Sequence, residues 1–458
     1  MEKMKLHLVD ILPQFAASFV ATLSSISDGM HYAWSAPVLP LLREETSPVT
    51  ITKIDEIWFE GSYLISGLLG LPITVYLVDK IGRKKAILTA SATSLVSWIL
   101  IGSSRHVAQL YCGRILAGAS GDMAYVAIPM YLSEISNEKY RGLLTSYDFN
   151  MVLVGTLLIS AVAPFTPYYV PAVIGVILLA LQLAISPLMP ESPYFLLSKN
   201  RAEEAKTALE KLRANQANID DEFNEIAEAV QKQNTQKGKY TDLFLVKSNR
   251  RAVTIITVLI LCQFFSGFSA VVMNLHTILD EADSGDVINV EKYGIIFYSL
   301  MVLSATFCCL TVDKFGKKIL LIVSSVLTGV CLLIISIYFN LQKFGVDVKS
   351  VSWIPAYALM GYAVAFKIGM GFLPQVIVSE LFPNNVKAFG MTYGDFLFIV
   401  FSFVSLIFYQ YLNYFYGHYV PLYTFTVVAF LGAVFTYYFV PETKGKTLDQ
   451  IQTMLQEM

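Results

Sequence analysis

Charged residues at matched spacings are the first chemistry this chain offers. The phrase "DKIGRKK" occupies residues 79–85, and "DKFGKK" follows 234 positions later at 313–318. In "YLSEISNEKYRG" Glu134 stands seven residues before Arg141, and in "VSELFPNNVKA" Glu380 stands seven before Lys387, at an offset of 246. A third pair, "PESPYFLL" from residue 190 and "PETKGKTLDQI" from residue 441, is offset by 251. Opposite charges repeated in this order suit a reversible ion-pair latch. Asp79, Arg83, Glu134 and Arg141 form one candidate set, and Asp313, Lys317, Glu380 and Lys387 form the other. Gly82 and Gly316 supply the tight turn that a helical hairpin needs. The second set has lysine where the first has arginine and so lacks the planar fork that grips a carboxylate at two points; its latch is expected to be the weaker.

A second group of ionisable residues lies inside apolar stretches: Asp28, Asp122, Lys367 and Arg114. Asp122 precedes Glu134 by 12 residues and Lys367 precedes Glu380 by 13. At the helical rise per residue both stand about 18–20 Å from the ends of their helices. Equal depth on repeated elements leaves two readings, a buried ion pair between Asp122 and Lys367 or a separate neighbour or water for each, and a buried carboxylate at Asp28 could carry a proton. The chain shows no nucleophile–base constellation, no H-E-x-x-H and no phosphate-binding glycine loop, so neither an enzyme nor a nucleotide-driven pump is expected, and no cofactor or metal. Its five cysteines all lie in apolar runs and read as small buried hydrophobes.

The elements that position these residues are set by composition. Of 458 residues 55% are hydrophobic and only 15% charged, against about 25% charged in an ordinary globular domain. Apolar runs long enough to cross about 30 Å of hydrocarbon recur along the chain. Twelve spans are expected, at 13–33, 57–78, 86–103, 107–132, 145–163, 168–188, 253–275, 293–312, 318–339, 353–379, 388–410 and 419–440. The fold class is therefore all-α polytopic membrane protein. The expected organisation is a six-helix half at 1–189, a helical linker at 190–252 on the cytoplasmic side, a second six-helix half at 253–440 and a cytoplasmic tail at 441–458. With both termini inside, 25 of the 33 Lys and Arg residues fall on the inner side, 6 outside and 2 within spans. Leaving out the 11 in the central loop, 14 still face 6, so the positive-inside rule places both ends in the cytoplasm. Trp34 reads as an interfacial anchor at the outer end of the first span. The net charge of −2 gives no reason to expect a nucleic-acid partner.

Taken as a set, "DKIGRKK", "GRILAG" (113–118), "PMYLSE" (129–134) with "RG" (141–142), "PESPYFL", "DKFGKK", "SELFP" (379–383) and "PETKGKTL" resemble the sugar porters of the major facilitator superfamily. The likeness spans essentially the whole chain and is strongest to insect trehalose and glucose facilitators. It implies the major facilitator fold, a plasma-membrane protein working as a monomer in the lipid bilayer, and a sugar substrate carried by alternating access. Where such porters read QQLSGINAV, this chain reads "QFFSGFSAV" at 263–271, keeping Gln263 but placing Phe264 and Ser269 at polar positions. Phe149, Met301 and Phe398 likewise replace amides, and Gln375 stands at a tryptophan position. Asp122 replaces a glycine and Lys367 a glutamate. The resemblance makes Gln263, Ser269, Asn274, Gln375 and Asn150 the candidate sugar contacts. Arg114 belongs to its "GR" signature and is expected to lock helix packing. The reading this supports is a carrier of a hexose or a trehalose-like disaccharide by facilitated diffusion. A proton-coupled symporter using Asp28 and a sensor that binds sugar without moving it stay open.

Overall fold

The computed structural model describes residues 2–43, 47–213, 219–235, 239–282, 290–383, 386–444, 446 and 448–457. Asp313 belongs to a helix, but its side chain lies outside what is described. The described residues are helical with short connections and contain no strand. In chain order the first elements are α1 Glu2–Tyr32, α2 Ser35–Leu42, α3 Lys53–Ile81, α4 Arg83–Gly102, α5 Val107–Ile135, α6 Glu138–Val162 and α7 Val170–Ile185. Shorter helices follow, α8 Pro193–Ser198, α9 Ala202–Leu212, α10 Ile219–Thr235 and α11 Asp242–Leu245. The remainder are α12 Lys247–Phe264, α13 Phe268–Met273, α14 Leu275–Glu281, α15 Val290–Phe315, α16 Lys317–Lys343, α17 Trp353–Ile368, α18 Leu373–Leu381, α19 Lys387–Tyr416, α20 Tyr419–Phe439 and α21 Leu448–Glu457.

Eleven helical stretches among the described residues are long and apolar enough to cross a membrane, and they fall on the second to twelfth expected spans. The first expected span, 13–33, lies within α1, whose Ser, Thr, Gln and Asp content makes it the least apolar of the set. Two spans expected as continuous are broken. The stretch 253–275 divides at Gly267, which adopts φ +86° between α12 and α13. The stretch 353–379 divides at 369–372, where Gly371 N donates back to Phe366 O (2.8 Å) and Leu373 N to Gly369 O (2.9 Å). Apolar composition runs straight across both breaks, which is why hydropathy alone reads through them.

The helices start where local chemistry says they should. Thr52 and Asp55 form a reciprocal capping box at α3, with Asp55 N donating to Thr52 Oγ1 (3.3 Å) and Thr52 N to Asp55 Oδ2 (2.9 Å). Ser192 accepts from Phe195 N (3.2 Å) to cap α8, and Pro193 occupies its first turn. α9 and α10 have the amphipathic pattern expected of the linker; Leu209, Ile219, Ile226 and Val230 make one small core between them.

The chain divides into two compact units. One comprises 1–32, 41–55 and 65–236, and the other 33–40, 56–64 and 237–458. Inside the first, α1 packs on α6, α4 on α5 and α4 on α7. Inside the second, α12 and α13 pack on α19, α16 on α17 and α16 on α20. These are the same three pairings, so the repetition in the motifs extends to helix packing.

The α1–α6 contact depends on two missing side chains. A Cβ at Gly29 would stand 1.9 Å from Val152 O, and one at Gly155 would stand 2.0 Å from Ile26 O. Backbone meets backbone here, the close approach that small residues permit between membrane helices. We predict that Gly155→Ala forces α1 and α6 apart and sharply lowers the yield of monodisperse protein. Gly142→Ala, where a Cβ meets nothing within 4 Å, should leave it unchanged. Size-exclusion profiles of the two variants check this, and equal profiles would contradict it.

Candidate functional site

In the first unit the motif charges converge. Arg83 opens α4, and its Nε (3.1 Å) and Nη2 (2.9 Å) both reach Glu134 Oε1 near the end of α5. Ser192 Oγ donates to the other carboxylate oxygen, Glu134 Oε2. The guanidinium also lies 5.3 Å from the Phe195 ring centroid. Asp79 is further away, 3.8 Å from Arg83 Nη1, and 71% exposed, so solvent screens it. The Arg83 and Glu134 side chains are only 12% and 14% exposed. Breaking a largely buried pair by removing one partner costs about 3–5 kcal/mol, mostly because the other charge is stranded. Arg141 bears on the Tyr194 hydroxyl, whose pKa burial raises and Arg141 opposes.

Glu191, in the "PESP" phrase, was given no role by spacing, yet it completes the site. Its Oε1 accepts from Lys84 N (3.0 Å) and Ser192 N (3.0 Å), so a carboxylate caps the positive end of α4. Gly82 makes room for it: φ is +99°, and a Cβ there would meet Glu191 Oε2 at 2.4 Å. The second unit repeats the device. Glu442, from "PETK", accepts from Lys317 N (3.3 Å) and Lys318 N (3.2 Å) over Gly316, whose φ is +84°. The recurrence of both phrases was the available signal. Spacing along the chain does not reveal a partner more than 100 residues away in either case.

The second unit's ion pair is simpler. Lys317 Nζ donates to Glu380 Oε1, and Glu380 Oε2 is buried without a hydrogen-bond partner. Lys387 opens α19.

The linker is tied to the same corner of the first unit. Arg213 forms an ion pair with Glu222 (Nη2–Oε1 2.5 Å) and donates from Nη1 to Ile135 O (3.0 Å), capping the C-terminal end of α5 one residue beyond Glu134. Any shift of that helix end is therefore transmitted to α9 and α10.

The remaining candidates are placed as follows. Gln263, on the last turn of α12, donates through Nε2 to Gln375 Oε1 on the first turn of α18 (3.4 Å), so the two amides meet where both broken spans break. Gln263 is 2% exposed and its Oε1 is buried without a partner. Around them, Phe264 stands edge-on to Phe398 (4.6 Å), and Phe268 stacks on Phe366 (4.9 Å). Ser269 is turned to Ser402 (Oγ–Oγ 2.7 Å) and Asn274 donates to Ala270 O of its own turn (3.1 Å). On α6 of the first unit, Asn150 Oδ1 is a buried acceptor without a partner.

The acids of the first unit lie together. Thr74 Oγ1 donates to Asp122 Oδ2 (2.8 Å) and Ser25 Oγ to Asp148 Oδ1, while Asp28 is within electrostatic reach of both carboxylates. Asp122 thus takes a threonine of α3 as partner. Lys367, in the second unit, has its Nζ 4.6 Å from the Phe268 ring centroid. Arg114 is fully buried and donates from Nη1 to His31 O (2.7 Å). His31 in turn stacks on Trp98 (3.8 Å) and its Nε2 lies 3.2 Å from Ser94 Oγ. Trp34 is buried edge-on to Phe59, not lying at an interface. Asp148 and Glu60 were missed because each falls within four residues of an expected span end, where a charge is ordinary. Glu60 is 1% exposed and accepts from Gln410 Nε2 (2.5 Å) inside the second unit.

Comparison with known proteins gives this geometry its family. A model of the family described as "Sugar (and other) transporter" matches residues 14–455. The chain belongs to the sugar (and other) transporter family. Similar sugar transporters include the facilitated trehalose transporter Tret1 of Bombyx mori, 27% identical over 96% of this chain and 86% of that protein. The Tret1 of Anopheles gambiae is also 27% identical, over 96% of this chain, but the chain spans only 56% of that protein's length. Among solved structures, the inward-open xylose transporter XylE from E. coli superposes with a TM-score of 0.76 at 20% identity, covering 96% of this chain and 99% of that one. A second XylE structure, bound to 6-bromo-6-deoxy-D-glucose, gives 0.76 at 21%. The fold is that of the solved XylE structures, and the protein is a multi-pass membrane protein of the sugar (and other) transporter family.

The two latches give a direct comparison. Arg83→Lys keeps the charge but loses the two-nitrogen grip and the stack on Phe195, and should cost about 1–3 kcal/mol. Lys317→Arg offers the unpartnered Glu380 Oε2 a second donor and should hold or raise stability. Thermal unfolding midpoints in one detergent check both; a larger loss in Lys317→Arg than in Arg83→Lys would contradict the assignment.

Proposed function

We propose that the chain carries a hexose or a trehalose-like disaccharide across the plasma membrane by alternating access, as facilitated diffusion, with both termini in the cytoplasm. The observation that carries this reading is the Gln263–Gln375 pair. Two broken membrane helices place two amides side by side among aromatic rings, and Gln263 Oε1 waits as a buried acceptor with no donor. A buried acceptor left unpaired costs about 1–3 kcal/mol, which a sugar hydroxyl removes when it donates there. Discontinuous helices at such positions are how transporters expose polar groups at membrane depth. The latches Arg83–Glu134 and Lys317–Glu380 supply ion pairs that can open and close at helix ends without covalent chemistry. Membership of the sugar (and other) transporter family and the trehalose transporters among its relatives support the sugar.

A second reading is a proton-coupled symporter. The grouping of Asp28 with Asp122 and Asp148 favours it, since carboxylates within reach of one another share protons readily.

Uptake into proteoliposomes separates the two readings. Labelled glucose, fructose, trehalose, a pentose and a polyol are offered with and without an imposed proton gradient. We expect one or more sugars to equilibrate at a rate the gradient does not change. Gln263→Leu should raise the KM for the carried sugar by about tenfold, the equivalent of one lost hydrogen bond of about 1.4 kcal/mol. Accumulation driven by the gradient and lost in Asp28→Asn would establish symport instead. Folded protein that moves none of the panel would overturn transport of a neutral sugar.

A further inference from the structure

We propose that Lys367 makes the candidate sugar site of the second unit a receptor for a carboxylate, so that the preferred substrate is an acidic sugar of the uronate class. This rests on the transport reading above and specifies its substrate.

Lys367 ends α17 at the break before α18 and is 7% exposed. Its ammonium lies over aromatic faces, 4.6 Å from the Phe268 centroid and 5.7 Å from Phe366. Its stem folds back across the break: a Cβ on Gly371 would meet Lys367 Cδ at 2.9 Å. Among the described residues of its own unit no carboxylate forms an ion pair with it; its titratable neighbour there is the thiol of Cys308, which donates to Ile368 O (2.8 Å). A cation taken this far from water is costly unless an anion joins it, and ring faces offset only part of that cost. The acids Asp28, Asp122 and Asp148 belong to the other unit, where Asp122 and Asp148 take hydroxyl donors from Thr74 and Ser25.

The surroundings of Lys367 fit the rest of such a ligand. α18 begins at the same break without a side-chain cap, so the positive end of a nine-residue helix faces the same gap. Gln375 on its first turn and the unpartnered Gln263 Oε1 offer one acceptor and donors for hydroxyl groups. Phe268, stacked on the fully buried Phe366, makes the wall beside the ammonium aromatic. A carboxylate for the ammonium and hydroxyls for the amides together describe a sugar acid. A neutral hexose leaves the lysine without a counter-charge, and a simple carboxylic acid leaves the amides unused.

The test compares labelled glucuronate with glucose and with the neutral methyl ester of glucuronate, in proteoliposomes holding the full chain. Wild type is expected to take up glucuronate, and free glucuronate should inhibit at concentrations 10- to 100-fold lower than its ester. Lys367→Gln should lower the glucuronate-to-glucose uptake ratio by 10- to 100-fold, and Lys367→Arg should retain it; the ratio cancels differences in active protein. If Lys367→Gln does not fold, the acid-against-ester comparison on wild type decides alone. Glucose or trehalose uptake with no transport of, or inhibition by, glucuronate overturns the inference and leaves sugar transport standing. Equal inhibition by acid and ester, or an unchanged ratio in Lys367→Gln, also overturns it. A folded protein that moves neither neutral sugar nor glucuronate overturns the transport reading itself.

Discussion

A charge removed from water must find its opposite, and at the ends of these helices that requirement fixes where the chain goes. Arg83 and Glu134 are both nearly buried, so each is tolerable only beside the other. Their pairing sets the end of α4 against the end of α5. Ser192 completes the carboxylate and so fixes the start of α8. Glu191, one residue earlier, lies over Gly82 and satisfies the Lys84 amide at the start of α4. Arg213 then caps α5 and brings the linker helices to the same place. Five segments far apart in sequence are thus held by one small electrostatic network, and a change at any of its members reaches the others.

The two units repeat that network without copying it. In the second, lysine replaces the arginine fork and Glu380 Oε2 is left without a donor, while Glu442 and Gly316 reproduce the cap closely. The greater departure lies deeper. The second unit interrupts two spans and so frees backbone and amide groups at membrane depth. In the first, α1, α4 and α5 run unbroken and carry side-chain pairs, as where Trp98 Nε1 donates to Ser27 Oγ (2.8 Å) and Ser27 meets Ser94 (3.0 Å), while Asn150 on α6 keeps an unpartnered acceptor. Polar groups that already have partners stiffen a bundle, whereas interrupted helices with unpartnered acceptors suit recognition.

Much of the architecture was legible in the sequence because long apolar runs and recurring phrases are direct consequences of the membrane. Spans two to twelve fall on the expected stretches, and the charges of "DKIGRKK" and "YLSE" do meet. What escaped notice did so for physical reasons. The breaks at Gly267 and at 369–372 are apolar on both sides, so nothing in hydropathy marks them, although a glycine stands at each. The roles of Glu191 and Glu442 depend on space above a glycine with positive φ, which spacing along the chain does not show. Ser269 and Asn274, expected sugar contacts by position, each hold a hydrogen bond to a nearby group of the protein, a partner that spacing along the chain does not show. Lys367 was legible as a charge at depth, yet its aromatic surroundings are brought together by the breaks that hydropathy missed.

The account turns on the Arg83–Glu134 pair acting as a unit that opens and closes. The most direct measurement is a charge-swap cycle read by proteoliposome uptake of whichever solute the protein carries: Arg83→Glu alone, Glu134→Arg alone, and both together. Each single change places two like charges together and should abolish uptake, and the double change should restore a substantial part of it by re-forming the pair in reverse. A double variant no more active than the poorer single one, although folded, would show that the two charges do not act through each other and would contradict the latch.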